Sequence, residues 1–142
     1  MKKKSMLTLV LATSLTTGCA SGLNSVEKRE YRTFEHNNVL VQDKNPATGA
    51  ALGILPGGGS FYAREPGLGV VNLLFWPLSI LWDPISGYEG SKEINYSLTK
   101  QKLRKDKEKE ISKLDDKLEI GAIDHNQYIL AKREVEKKYI FE

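Results

Sequence analysis

The chain has 142 residues, one domain's worth of material, with 27% charged and 40% hydrophobic side chains, ordinary proportions that are unevenly distributed along it. Lys2, Lys3 and Lys4 supply the whole formal surplus of +3, leaving 18 basic residues to balance 18 acidic ones, so net charge is no argument for a nucleic-acid partner. The single cysteine excludes an intrachain disulfide framework.

The three lysines precede an apolar run, Met6 to Leu15. Ten residues are too few to span a ~30 Å hydrocarbon core as a helix, and they fit the apolar region of an export signal. Next comes Leu15-Thr16-Thr17-Gly18-Cys19-Ala20, which resembles the lipobox of bacterial lipoproteins, although Thr16 stands where that family prefers an aliphatic residue. The resemblance implies cleavage between Gly18 and Cys19, S-diacylglycerol on the Cys19 thiol and an acyl group on its new amine. Two or three chains at ~0.8 kcal/mol per buried methylene hold a protein stably, whereas one chain is marginal. Ala20, in place of the aspartate that favours inner-membrane retention in that family, implies the periplasmic face of the outer membrane, with the inner membrane as the alternative. Residues 1–18 are therefore expected to be a signal peptide, and residues 19–46 a lipidated N-terminus and flexible tether.

Within 20–46 the sequence is polar. Val39-Leu40-Val41 is a short β-prone run that reads as an edge strand or an extended segment.

Residues 47–90 form the apolar region. Ala47 to Leu55 is small and apolar, Pro56-Gly57-Gly58-Gly59-Ser60 breaks the pattern, and Phe61-Tyr62 follows. The glycines suit a tight turn. A phosphate-binding loop is disfavoured, because the Gly-Lys-Ser/Thr ending is missing. Gly67 to Trp82 contains no charged residue. At ~1.5 Å per residue it is about 24 Å long as a helix, and Pro77 would split it. Trp76 and Trp82 are rings of the kind enriched at membrane interfaces. A small soluble core, a membrane-embedded hairpin pairing 47–63 with 67–85, and a protein-binding patch all fit this pattern. The turn and the Trp76 to Pro84 stretch resemble a group of small bacterial lipoproteins and membrane hairpin proteins with a Pro-Gly-x-Gly-x-Phe-Tyr turn. That likeness implies a hairpin and no chemistry.

Residues 91–142 read as a charged helical module. Ser91 is placed as an N-cap, and residues 92–120 as one long helix, with Lys102–Asp106, Arg104–Glu108 and Glu110–Lys113 at helical spacing. Gly121 ends it. Asp124 caps the next helix, Gln127 completes a capping box, and Ile123 against Tyr128 forms a staple. Leu114, Leu118, Gly121, Ile123, Asp124, Tyr128 and Lys132 resemble the short C-terminal domain family. The resemblance implies a helical hairpin that mediates oligomerisation or localisation.

His36 and His125 lack metal-ligand spacing, Asp115 and Asp116 are adjacent on a helix, and Gly59-Ser60-Phe61 lacks the second glycine of a nucleophile elbow. No catalytic residue, metal or cofactor is expected. The expected fold is mainly α: an apolar Gly/Pro-turned helical hairpin, a long charged helix and a short C-terminal helical hairpin behind a flexible tether. The expected protein is a non-enzymatic, lipid-anchored envelope scaffold. Its partners are the membrane, through the lipid, and an envelope protein or a second copy through residues 91–142, with no nucleic acid. The alternatives are an apolar-ligand carrier or envelope enzyme with a pocket in residues 47–85, where Tyr62 and Asp83 are the side chains to test, and an inner-membrane protein in which residues 67–85 insert.

Overall fold

The computed structural model describes residues 22–141, and among these it is mainly α-helical with no strand. Gly18 and Cys19 lie outside the described residues. Among the described residues six α-helices occur in order: α1 (Ser25–His36), α2 (Pro46–Leu52), α3 (Gly58–Tyr62), α4 (Pro66–Leu74), α5 (Asp83–Glu119) and α6 (His125–Lys138), with a 3₁₀ helix at Leu78–Leu81. The chain forms two compact units. An apolar unit contains, of the described residues, 22–24 and Lys44–Glu93, and a helical unit contains Ser25–Asp43 with Ile94 onward; α5 supplies residues to both.

The apolar unit is built from short helices that reverse direction at prolines and glycines. Asn45 caps α2, its side chain accepting the Thr48 amide, and Pro46 takes a first-turn position where no amide hydrogen is needed. α2 ends at Gly53. The reversal follows at 53–57 and closes on Gly57, whose φ of +69° falls in the left-handed region. The expected turn over 56–60 is thus shifted back, with Gly58 and Gly59 already inside α3. Pro77 does split the apolar run: α4 stops at Leu74 and the 3₁₀ helix takes over after the cis Trp76–Pro77 bond.

Glycines let these elements meet backbone to backbone. A Cβ on Gly49 would collide with the Gly87 carbonyl, one on Gly53 with the Pro84 nitrogen, and one on Gly59 with the Asp83 carbonyl. The start of α5 therefore lies directly against α2 and α3. Gly49 and Gly53, four residues apart, form the small-residue stripe that membrane helices use for close approach.

α5 begins eight residues before the expected Ser91 cap. Pro84 sits in its first turn, where a missing amide hydrogen costs nothing. Ser91 is an internal residue instead, its hydroxyl donating to the Gly87 carbonyl at 2.6 Å.

The helical unit departs most from expectation at its start. Residues 25–36, expected within a flexible tether, form α1, with Tyr31 and Phe34 buried on one face three residues apart. Phe34 stacks on Tyr96 (5.9 Å between centroids) and meets Phe141 edge-on (5.6 Å). Val39 to Val41 belongs to no helix or strand. The Val41 amide donates to Thr99 Oγ1 (2.9 Å) and the Asp43 amide to Asn95 Oδ1 (3.0 Å), so side chains of α5 hold the segment. At the other end the capping box of Asp124 and Gln127 forms as expected, and Gly121 has the positive φ of a helix terminator. Tyr128 donates to Asp115 (2.7 Å), while Lys138 (2.6 Å) and Tyr139 (2.9 Å) both donate to Glu110, closing α6 onto α5. Glu110, expected beside Lys113, is thus engaged across the hairpin.

Candidate functional site

In the apolar unit the polarity of a water-soluble domain is reversed. Its fully buried side chains are Ser60, Asn72, Ser79, Asp83 and Ser91, and among the described residues of the unit the only buried hydrophobic side chains are Leu23 and Ala63. Leu74 and Leu81 are each 75% exposed, and Ile54, Leu55, Phe75, Trp76, Leu78 and Ile85 each expose half or more of their surface.

Asp83 organises the interior. Its Oδ2 accepts the Gly59 amide (3.0 Å), and its Oδ1 accepts the Ser60 amide (3.0 Å), the Ser60 hydroxyl (2.5 Å) and the Asn72 side-chain amide (2.7 Å). The same Asn72 nitrogen donates to Ser60 Oγ (2.9 Å), and Asn72 Oδ1 accepts the Trp82 indole N–H (2.8 Å). One carboxylate thereby holds the first turn of α3, the last turn of α4 and the start of α5 together. Charge-assisted bonds of this kind are about twice as strong as neutral ones, and a helix's first amides are the donors that most need an acceptor. The Ser79 hydroxyl is enclosed without a partner.

At the other end of the unit the Asn45 amide donates to the Tyr62 hydroxyl (3.0 Å), and the Lys44 ammonium lies 4.5 Å from the centre of the Tyr62 ring. Glu65, in the connection between α3 and α4, has its carboxyl pushed above the usual range, first by burial and then by the nearby charge of Glu93.

The side chains tested by the pocket alternative, Tyr62 and Asp83, are therefore parted. Asp83 is enclosed in the network, and Tyr62 belongs to the charged end. A cavity of about 380 Å³ occurs in the helical unit, its lining including Phe34, Lys100, Leu103, Arg104, Tyr139 and Phe141. Beside it Tyr96 donates to Glu30 (2.6 Å), and Lys100 donates to both Glu30 and the Tyr96 oxygen at 3.1 Å. The Tyr96 hydroxyl, and then the ammonium, hold the Glu30 carboxyl below its ordinary range.

His36 and His125 are exposed, His125 stacking on Tyr128, and among the described residues no cluster of histidine, cysteine, aspartate and glutamate could hold a metal ion. No helix of the described residues is long and apolar enough to cross a membrane. The reversed interior was missed in the sequence. Its signal was the one acid, Asp83, closing an uncharged stretch, with Ser60 and Asn72 as the polar interruptions of apolar segments.

No family model, curated protein or solved structure matches the chain.

Proposed function

We propose that the mature protein is a non-enzymatic, lipid-anchored scaffold of the bacterial cell envelope, held by acyl chains on Cys19 and working through protein contacts of its helical unit. The outer membrane, periplasmic face, is the favoured location. The order Leu15-Thr16-Thr17-Gly18-Cys19-Ala20 behind a basic and apolar leader supports the anchor. The observation that carries the scaffold role is the fate of Asp83. The one acid of the apolar stretch is fully enclosed; one of its oxygens accepts from α3 and the other from both α3 and α4. A carboxylate so engaged assembles the unit and cannot reach a substrate proton without dismantling it.

Cell fractionation with cross-linking tests this function. The wild type is expected in the outer-membrane fraction with a cross-linked neighbour or second copy, and Cys19→Ser is expected to leave that fraction. A wild type recovered from the soluble periplasm, or monomeric with no cross-linked neighbour, contradicts it.

A further inference from the structure

We infer that the Lys44–Glu93 unit is itself a membrane-seated wedge that enters one leaflet, a second hold on the bilayer that does not depend on the lipids of Cys19.

Water cannot account for the way this unit is built. A soluble fold gains about 25 cal/mol for each Å² of apolar surface it removes from water. Here, beyond Leu23 and Ala63, the interior consists of a carboxylate, an amide, hydroxyls and glycine backbones, while the other large apolar side chains face outward. Hydrocarbon reverses that balance. Outward leucines cost nothing there, and close small-residue packing with internally paired polar groups becomes the favourable arrangement.

Much of the backbone at the reversals is paired in the same way. Within the turns, the amides of Ile54 and Leu55 donate to Ala51 and Leu52. Those of Ser79, Ile80 and Trp82 donate to Phe75, Pro77 and Ser79. Asp83 takes the amides of Gly59 and Ser60, which an α3 exposed to lipid would leave unpaired at several kcal/mol each.

Charge fixes which end enters. No charged residue occurs from Ala47 to Ala63 or from Pro66 to Trp82. Lys44, Arg64, Glu65, Glu89, Lys92 and Glu93 all belong to the end where α2 begins, α3 meets α4, and α5 leaves the unit. The reversals at 53–57 and 75–82, with Ile54, Leu55, Phe75, Leu78 and Leu81 exposed, form the opposite tip. α2 and α4, with seven and nine residues, rise about 10 and 14 Å, which reaches through one leaflet of a ~30 Å core and no further.

Lipid is the occupant that this distribution selects. The exposed apolar side chains lie on α3, α4, the 3₁₀ helix, the start of α5 and both reversals. A protein partner or second copy covers one face of a unit, whereas lipid surrounds a tip on every side.

The only two tryptophans of the chain, Trp76 and Trp82, both lie in the wedge and report on it without a label. The purified full-length mature protein is reconstituted into phosphatidylcholine–phosphatidylglycerol vesicles, with or without bromine on the acyl chains. Tryptophan emission is expected to fall about twofold in the brominated vesicles, as rings at acyl depth require, and to resist aqueous acrylamide. Leu74→Lys with Leu81→Lys changes only exposed positions and is expected to abolish the bromine effect while helicity is retained. Emission indifferent to bromine and open to acrylamide places the tip in water and overturns the inference. Emission indifferent to bromine but increasingly shielded from acrylamide as protein density rises assigns the tip to a second copy, and overturns it equally. Neither result depends on whether Cys19 carries lipid, so the wedge and the anchor fail separately.

Discussion

One carboxylate oxygen of Asp83 accepts both the backbone amide and the hydroxyl of Ser60, at 3.0 and 2.5 Å, across 23 residues of chain. That relationship converts a polar side chain at the end of an apolar run into the centre of a folded unit.

Asp83→Asn keeps the size but replaces one acceptor oxygen with a donor nitrogen. Whichever way the amide turns, an N–H faces the donors of Gly59 or of Ser60 and Asn72. Leaving buried donors unmatched is expected to destabilise the unit by about 3 kcal/mol, read as a lower Tm in mild detergent. An unchanged Tm would remove Asp83 from the centre of the fold.

Glycine substitutions separate packing from propensity. Gly87→Ala drives a methyl group into the Gly49 carbonyl and against the Gly59 Cα, and is expected to cost roughly 2–3 kcal/mol or to prevent assembly. Gly67→Ala, in α4, meets nothing within 4 Å and is expected to be neutral or to stabilise by about 0.5–1 kcal/mol. Detergent melting curves of the two variants check the contrast.

The helical unit carries a pH signature. The Tyr96 hydroxyl and Lys100 depress the Glu30 carboxyl below its ordinary 4.5, so its contribution is present above that value and lost as pH falls through the lower folded one. Lys100 is raised above 10.5, chiefly by its bond to Tyr96 and then by Glu30, so its contribution is present below that value and lost as pH rises through the folded one. Burial, and then the bond to Glu30, raise the Tyr96 phenol above its ordinary 10.0, so its contribution disappears on the same alkaline side. The contribution of this cluster is expected to be complete between 4.5 and 10.0 and to be lost at more acid and more alkaline pH. Lys100 is half exposed, so Glu30→Gln should cost only about 0.5–1 kcal/mol at pH 7 and flatten the acid limb. A variant with the wild type's acid limb would refute the assignment.

Glu65 has the opposite sign. Burial and then Glu93 raise its carboxyl, and one of its oxygens is enclosed without a hydrogen-bond partner. The benefit of the protonated form is complete below 4.5 and lost as pH rises through the folded value. Glu65→Gln is therefore expected to raise Tm at pH 7, by the equivalent of about 0.5 kcal/mol after solvent screening, and to match the wild type near pH 4. Equal melting at both values would count against the burial of this acid.

Local signals were the legible ones. Asp124, Gln127 and Gly121 act within a few residues of one another, so the capping box and the helix end could be read directly. So could the break at Pro77. The start of α5 could not, because Asp83 and Pro84 look like a loop until Gly53 and Gly59 are known to lie against them. α1 was hidden because only Tyr31 and Phe34 mark its inner face, and the partners of Phe34, Tyr96 and Phe141, lie more than 60 residues away. The polarity reversal of the apolar unit is a property of the assembled interior, which no window of sequence displays.

The membrane attachment that underlies the whole account is tested most directly by mass spectrometry of the N-terminal peptide of the protein isolated from cells. The account predicts a peptide beginning at Cys19 with diacylglyceryl and N-acyl groups. A peptide that begins at Ala20 or beyond, or that retains Met1 with an unmodified Cys19, would contradict it.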